Sequence, residues 1–323
     1  GFANRTAAVL SVVACLAYAG AALAQAFPAK PLRIIVSFPP GASLDLSART
    51  LAQRVSENIG QQVLVDNRAG GNTIVSADVA AHSPADGYTL FLALDTTFTV
   101  VPLLYARLPF DPVKDFAPIT QASSAAYLFA ASPRVPFRTM PELVAYAKAN
   151  PGKLNFGAST VLTQALTVLL KSSAGVDVTY VPYKGTPPMI QALMTGEVDV
   201  VVDAIPLYLP LLKQGKALAI AATSSARAVQ LPDVITMREA GFPQLEADSF
   251  TGLFAPAGTP EPVIAKLNAE FTRVLNDAGF RQKILDAGLN AAASSTPEKL
   301  GAMVRDGLAK WGPVIKSAGI KLD

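Results

Sequence analysis

The residues of this chain best placed to do chemistry are hydroxyls, carboxylates and glycines at turns that follow short apolar runs. The run Leu32-Arg33-Ile34-Ile35-Val36 breaks on Ser37-Phe38-Pro39-Pro40-Gly41-Ala42 and enters a helical pattern at Ser43. A strand-to-helix turn of this kind aims backbone N–H groups above the sheet, and a helix N-terminus favours an anion there. Phe38, Gly41, Ala42, Ser43 and Asp45 are therefore candidates for a ligand loop, although Pro-Pro-Gly-Ala-Ser also reads as a plain turn with a serine cap. A second turn, Phe156-Gly157-Ala158-Ser159-Thr160, adds Ala158, Ser159 and Thr160, whose hydroxyls can donate to a ligand or cap the next helix. A third, Tyr183-Lys184-Gly185-Thr186, offers the amides of Gly185 and Thr186, with Lys184 read as an exposed structural lysine.

Two carboxylates end apolar runs. Asp95, with Thr96 and Thr97, closes Tyr88–Ala93, and Asp203 closes Val200–Val202. In a cleft that binds anions, Asp95 would repel the ligand, receive a ligand amine, or turn away as a cap. Asp203 would accept from a ligand hydroxyl or amine, or organise bridging waters. Phe38, Tyr127 and Phe250 are possible apolar walls.

Enzyme readings rest on no positive feature. The chain holds one histidine, His82, and one cysteine, Cys15. A zinc site would have to be completed by carboxylates alone. The sequence has no G-x-S-x-G nucleophile turn, no G-x-G-x-x-G dinucleotide turn and no G-x-x-x-x-G-K-[ST] phosphate loop. No catalytic residue, metal or cofactor is expected. Lysine and arginine are scattered, net charge is +3, and no basic patch invites nucleic acid.

The elements that must position these turns begin after residue 26. The small-residue run Ala21-Ala22-Leu23-Ala24-Gln25-Ala26 reads as the end of a cleaved export signal, residues 1–26, with an A-x-A-like site. Val12-Val13-Ala14-Cys15 passes for a lipobox, but apolar character continues for about two more helical turns, which argues against a lipid anchor at Cys15. The stretch Val198 to Leu212 is apolar yet interrupted by Asp199, Asp203, Pro206 and Pro210, so no other segment is expected to span a bilayer. From Leu32 onward, strand-like runs alternate with helical patterns, the signature of βαβ units and a largely parallel sheet. Helices are expected over Leu44–Ile59, Ile74–Ala81, Pro141–Ala149, Leu162–Ala174, Thr186–Thr195, Glu261–Asn276 and Pro297–Ala318. Pro102 to Pro118, punctuated by proline, is expected to be a surface excursion. The predicted architecture is α/β and two-lobed. Residues 27–126 with 250–323 form lobe one, residues 127–249 form lobe two, and the ligand cleft lies between them.

Several phrases together resemble one family. They are Lys30-Pro31-Leu32-Arg33-Ile34-Ile35-Val36, Phe38-Pro39-Pro40-Gly41, Gly60-Gln61-Gln62-Val63-Leu64-Val65-Asp66-Asn67-Arg68, Asp86-Gly87-Tyr88-Thr89-Leu90, Leu108-Pro109-Phe110-Asp111-Pro112, Asn150-Pro151-Gly152-Lys153-Leu154-Asn155-Phe156-Gly157, Val181-Pro182-Tyr183-Lys184-Gly185, Gly196-Glu197-Val198-Asp199 and Ala255-Pro256-Ala257-Gly258-Thr259-Pro260. In this order they resemble the substrate-binding receptors of tripartite tricarboxylate transporters, often called Bug receptors. The resemblance implies a periplasmic binding protein of type II topology that captures a small organic carboxylate and hands it to one large and one small membrane subunit. A receptor that instead informs a sensor kinase needs the same cleft. The chain departs from the family pattern at Ala42, where a second glycine is usual. It departs again at Val161-Leu162-Thr163-Gln164, where relatives often carry a histidine. Asp95 stands where small residues are common.

Overall fold

A computed structural model describes residues 27–183, 185–286 and 291–318; the predicted signal, Cys15 and Lys184 lie outside the described residues. Among the described residues, ten strands and eleven α-helices are arranged as two α/β lobes. In lobe one the strands are β1 (Leu32–Val36), β2 (Val63–Asn67), β3 (Thr89–Leu94) and β4 (Phe116–Ala131). In lobe two β5 (Asn155–Ala158), β6 (Thr179–Pro182), β7 (Val200–Ala204) and β8 (Leu218–Ala222) follow, and β9 (Asp248–Pro256) and β10 (Ala291–Ala292) complete the set.

The two sheets are built alike. The first runs β2-β1-β3-β9-β4, with β1 parallel to β2 and β3, and β9 inserted antiparallel between β3 and β4. The second runs β6-β5-β7-β4-β8, with β4 as the antiparallel insertion between β7 and β8. The sixteen-residue β4 therefore serves both sheets. Phe116 to Ala126 pair with β9, and Tyr127 to Ala131 pair with β7 and β8. Each sheet receives one strand from a distant part of the sequence, which is the type II arrangement.

Period-two alternation explains why the strands are buried on both faces. Leu32, Ile34 and Val36 of β1 and Leu90 and Leu92 of β3 enter one core, while Ile35, Phe91 and Ala93 enter the other. In lobe two, Phe129, Val200 and Val202 face one core, and Leu128, Ala130 and Val201 face the opposite one. Strands covered by helices on both sides read as continuous apolar runs, as these do.

The helices are α1 (Ser43–Ile59), α2 (Ile74–Ala81), α3 (Asp95–Thr99), α4 (Val101–Leu104), α5 (Met140–Ala149), α6 (Val161–Ala174), α7 (Thr186–Thr195), α8 (Ile205–Lys213), α9 (Glu261–Leu275), α10 (Ala278–Asp286) and α11 (Pro297–Ala318). Gly60 ends α1 at φ +68°, in the left-handed region that a residue with a Cβ enters at a cost.

Three segments differ from the sequence reading. Asp95 to Leu104 forms two short helices rather than a strand end and the start of a surface excursion. Within the expected excursion, Leu104, Phe110 and Phe116 are buried. Phe110 and Phe116 join Phe91, Phe98 and Phe254 in an aromatic group whose tightest pair, Phe98–Phe254, has ring centroids 4.3 Å apart. Burial of those rings outweighs what the prolines suggest locally. Helix α10 fills the space between the two expected C-terminal helices.

Helix α11 bridges the lobes. Leu300 and Val304 pack with Phe98 and Phe254, whereas Trp311 and Ile315 pack in the core that contains Phe129 and Phe156. Midway, Gly307 lets α11 press against α3, since a Cβ there would stand 2.4 Å from Thr99 Cγ2. Lys310 donates its ammonium to the Glu246 carbonyl in lobe two.

Candidate binding cleft

The C-terminal ends of the parallel strands from both sheets converge on a cavity of about 770 Å3. Open α/β sheets bind ligands at this end, where successive connections diverge to opposite faces. Lobe one contributes Ser37, Phe38 and Pro39 after β1, Ala69 to Thr73 after β2, and Leu94 to Thr96 after β3. Lobe two contributes Ser159 to Leu162 with Gln164, Tyr180, Tyr183, Asp203 and Ala204. Tyr127 of β4 and Ser249 of β9, on the two strands that cross between lobes, complete the floor.

Of the residues singled out in sequence, Phe38, Asp95, Thr96, Ser159, Thr160 and Asp203 line this cavity, and Gly41, Ala42, Ser43, Asp45, Thr97, Ala158, Gly185 and Thr186 do not. Asp45 is engaged by its own loop. Its carboxylate accepts from Gly41 N at 2.8 Å, from Asn67 Nδ2 at 2.9 Å and from Arg49 Nε at 3.0 Å. Burial alone would raise its pKa, but these donors outweigh burial and hold it below the ordinary value. The Gly41 amide, expected to meet an anionic ligand, is thus already bonded. Asn67 Nδ2 also donates to Phe38 O at 2.9 Å, which fixes the loop that carries Phe38 to the cavity.

Ala158 is buried at the end of β5, where its carbonyl accepts from Tyr183 N at 3.0 Å. Thr97 is fully buried in α3. Gly185 precedes α7 at φ +98°. Thr186 acts through Asp203, donating its hydroxyl to Oδ2 at 2.7 Å while Ala204 N donates to Oδ1 at 2.8 Å. Phe250 belongs to the lobe-one core and does not line the cavity; Tyr127 does.

Asp95 is the cleft's most unusual group. It is 3 % exposed, and Oδ1 accepts from Ser249 Oγ at 3.0 Å. Burial pushes its carboxyl up to about 7, against opposing hydrogen bonds from Ser249 and from the backbone N–H groups of Thr96 and Asp95 itself. Burial raises Asp203 as well, opposed by Thr186 and Ala204 N–H. The Tyr127 phenol is raised by burial and then by the charges of Asp95 and Asp203. At the mouth, burial and the Glu197 carboxylate, which accepts from Tyr183 Oη at 2.9 Å, push the Tyr183 phenol up to about 12.

The turn that sequence reasoning missed is Ala69 to Thr73. Asn72 and Thr73 adopt φ +50° and +76°, a left-handed geometry uncommon outside glycine. Asn72 Nδ2 donates to Tyr105 Oη at 2.7 Å and ties the turn to the end of α4. The Gly70-Gly71-Asn72 run was the available signal, because such runs mark backbone that approaches something closely. Tyr180, Val100, Val101 and Leu104 also line the cavity. Among the described residues, no group of three or more histidine, cysteine, aspartate or glutamate side chains could hold a metal ion, and no helix is long and apolar enough to cross a membrane.

Residues 47–320 match the family model described as the tripartite tricarboxylate transporter family receptor. The chain is 32 % identical over 326 residues to protein BugT of Bordetella pertussis, covering 99 % of each. It is similar to the solved structure of R. palustris Rpa4515 with adipate (31 % identity, TM-score 0.75, 91 % of this chain and 99 % of that one). It is also similar to MatC of Rhodopseudomonas palustris with bound malate (32 % identity, TM-score 0.70, 90 % of this chain and 100 % of that one). With a family match across most of its length and a relative matched end to end, the chain belongs to the tripartite tricarboxylate transporter receptors, the Bug family of solute-binding proteins.

Proposed function

We propose that this receptor captures a small organic carboxylate reversibly in the interlobe cavity and delivers it, in the periplasm, to the large and small membrane subunits of a tripartite transporter. The observation that carries the reading is the cavity itself. Its volume of about 770 Å3 suits a small solute, and both lobes line it at their strand C-termini. Its walls offer hydroxyls at Ser37, Thr96, Ser159 and Thr160 and backbone amides in the turns, a donor set that can hold a carboxylate without a basic side chain. Adipate and malate in the two related structures support the carboxylate class.

In this reading residues 27–126 with 250–323 form lobe one, residues 127–249 form lobe two, and residues 1–26 are a cleaved export signal. The exchange of β4 partners at Ala126 and Tyr127 supports the boundary. Closure is a hinge motion about the crossing strands, of the kind binding proteins use generally. The test is isothermal titration of the purified protein with a panel of aliphatic and aromatic acids. Saturable one-to-one binding of a carboxylate class is expected, lost on Ser159→Trp, which fills the cavity from lobe two. Binding that survives Ser159→Trp would place the solute elsewhere.

A further inference from the structure

The cleft carries two acids, and among its described lining residues there is no lysine, arginine or histidine. Among the described residues neither Asp95 nor Asp203 has an ion-pair partner, although both are buried. Both are held by neutral donors only, and Asp95 is the more deeply enclosed. Both oxygens of Asp203 are occupied, one by the Thr186 hydroxyl and one by the Ala204 amide. Asp95 accepts from the Ser249 hydroxyl at Oδ1 and from the backbone N–H groups of Thr96 and of Asp95 itself, so its donors too are neutral. A buried carboxylate is costly unless it is paired, and here the described residues supply hydroxyls and backbone amides but no cation. The cavity wall is the side from which a counter-charge can come.

We infer that Asp95 selects the cargo: the receptor takes a carboxylate that also carries an ammonium group, and Asp95 receives that group. This rests on the carboxylate reading above and narrows it. The solute's own carboxylate goes to the amides and hydroxyls of the surrounding turns, while its ammonium completes the pair that Asp95 lacks. A dicarboxylate of the same length sets its second charge against Asp95, and a like charge at close range in a desolvated cleft is strongly disfavoured. The carboxyl's elevated pKa fits the same picture, since a cation beside it restores the charged form.

The test uses matched pairs that differ only in one terminal group: succinate against 3-aminopropanoate, glutarate against 4-aminobutanoate, and adipate against 5-aminopentanoate. Titration calorimetry at pH 8 gives the affinity of each for the wild type and for Asp95→Asn and Asp95→Ser. In the wild type the amino acid of at least one pair is expected to bind at least tenfold tighter than its diacid. In both variants that gap should close or reverse, with a retained cooperative melt confirming that the variants are folded. A diacid that binds the wild type more tightly than its partner in every pair overturns the inference and leaves the carboxylate receptor standing. So does a tenfold gap unchanged in both variants. Absence of binding by all six solutes counts against the carboxylate reading and the inference together.

Discussion

Lobe one buries two carboxylates at the C-terminal end of its sheet, and it treats them in opposite ways. Asp45, in the first turn of α1, is enclosed by Gly41 N, Asn67 and the Arg49 guanidinium, and its pKa falls. Asp95, in the first turn of α3, accepts from the Ser249 hydroxyl and from the backbone N–H groups of Thr96 and of Asp95 itself, yet burial raises its pKa to about 7. Both side chains have almost no solvent-accessible surface, but Asp45 lies near the outside of its lobe whereas Asp95 is deeply enclosed. The difference lies in depth and in charge: Asp45 has the Arg49 cation beside it, and Asp95 has neutral donors only. The β1–α1 turn saturates its own acid and holds the loop that carries Phe38 in place. The β3–α3 turn gives its acid neutral donors at a cavity wall and, among the described residues, no cation. One carboxylate is spent on structure, and the other is held ready for a solute.

The largest test of this contrast is Asp95→Asn. A buried acid whose folded pKa lies above its unfolded value is favoured at low pH, and the folded state loses stability as pH rises from about 4 to about 7. Above that window the full cost of the buried charge is present, on the order of 4 kcal/mol for a shift of this size. Asn is nearly isosteric and carries no charge. Urea denaturation at pH 8 should therefore show Asp95→Asn more stable than wild type by several kcal/mol, with the gain shrinking toward nothing near pH 4. A gain of stability paired with a loss of cargo selection is what a functional residue under strain should give. A variant destabilised at pH 8 would show that the anion is already well paired.

Asp45→Ala should behave in the reverse sense. Its folded pKa is depressed, so its contribution is present above the unfolded value near 4 and is lost as pH falls through the folded pKa. Removing the side chain strands Gly41 N, Asn67 Nδ2 and Arg49, and should cost about 3 kcal/mol at pH 7. At pH 3 the gap to wild type should narrow, because the wild-type carboxylate is itself being protonated. A pH-independent loss would mean that packing, not charge, is what Asp45 supplies.

Much of this was legible in the residues. Alternating apolar and helical patterns defined the α/β class, and the family phrases pointed to the two-lobed fold. The turns after β1, β3, β5 and β7 were correctly placed at strand C-termini. What local pattern did not carry was which atoms of those turns remain free. The Asp45–Arg49 spacing of four is an ordinary helical ion pair, and weighing it would have moved Asp45 from ligand to scaffold. Ser249 and Tyr127 meet Asp95 only because β9 and β4 cross between the sheets, a pairing over 100 residues apart in sequence that no short window records. The Gly70-Gly71 run within Ala69 to Thr73 is ambiguous in sequence, because glycine runs signal both mobility and close approach. Phe98, Phe110 and Phe116 looked like parts of a strand end and an excursion because their partner, Phe254, comes from far along the chain.

The smallest effect tests two helix N-termini that differ in capping, those of α6 and α1. Helix α6 is capped: Thr163 N donates to Thr160 Oγ1 at 3.2 Å, and Thr163 Oγ1 accepts from Thr160 N at 3.1 Å. Helix α1 begins at Ala42, whose extended φ of −70° and ψ of 157° suit a cap but whose methyl offers no acceptor. Ala42→Ser places a hydroxyl where it can accept from Asp45 N, and should raise stability by about 1 kcal/mol in urea denaturation. Ala42 to Asp45 lie outside the cavity lining, so the added cap should leave cargo affinity unchanged. If affinity instead falls while stability rises, the first-turn amides of α1 reach the solute's carboxylate. Lobe one would then hold both ends of its ligand, the anion at α1 and the cation at Asp95.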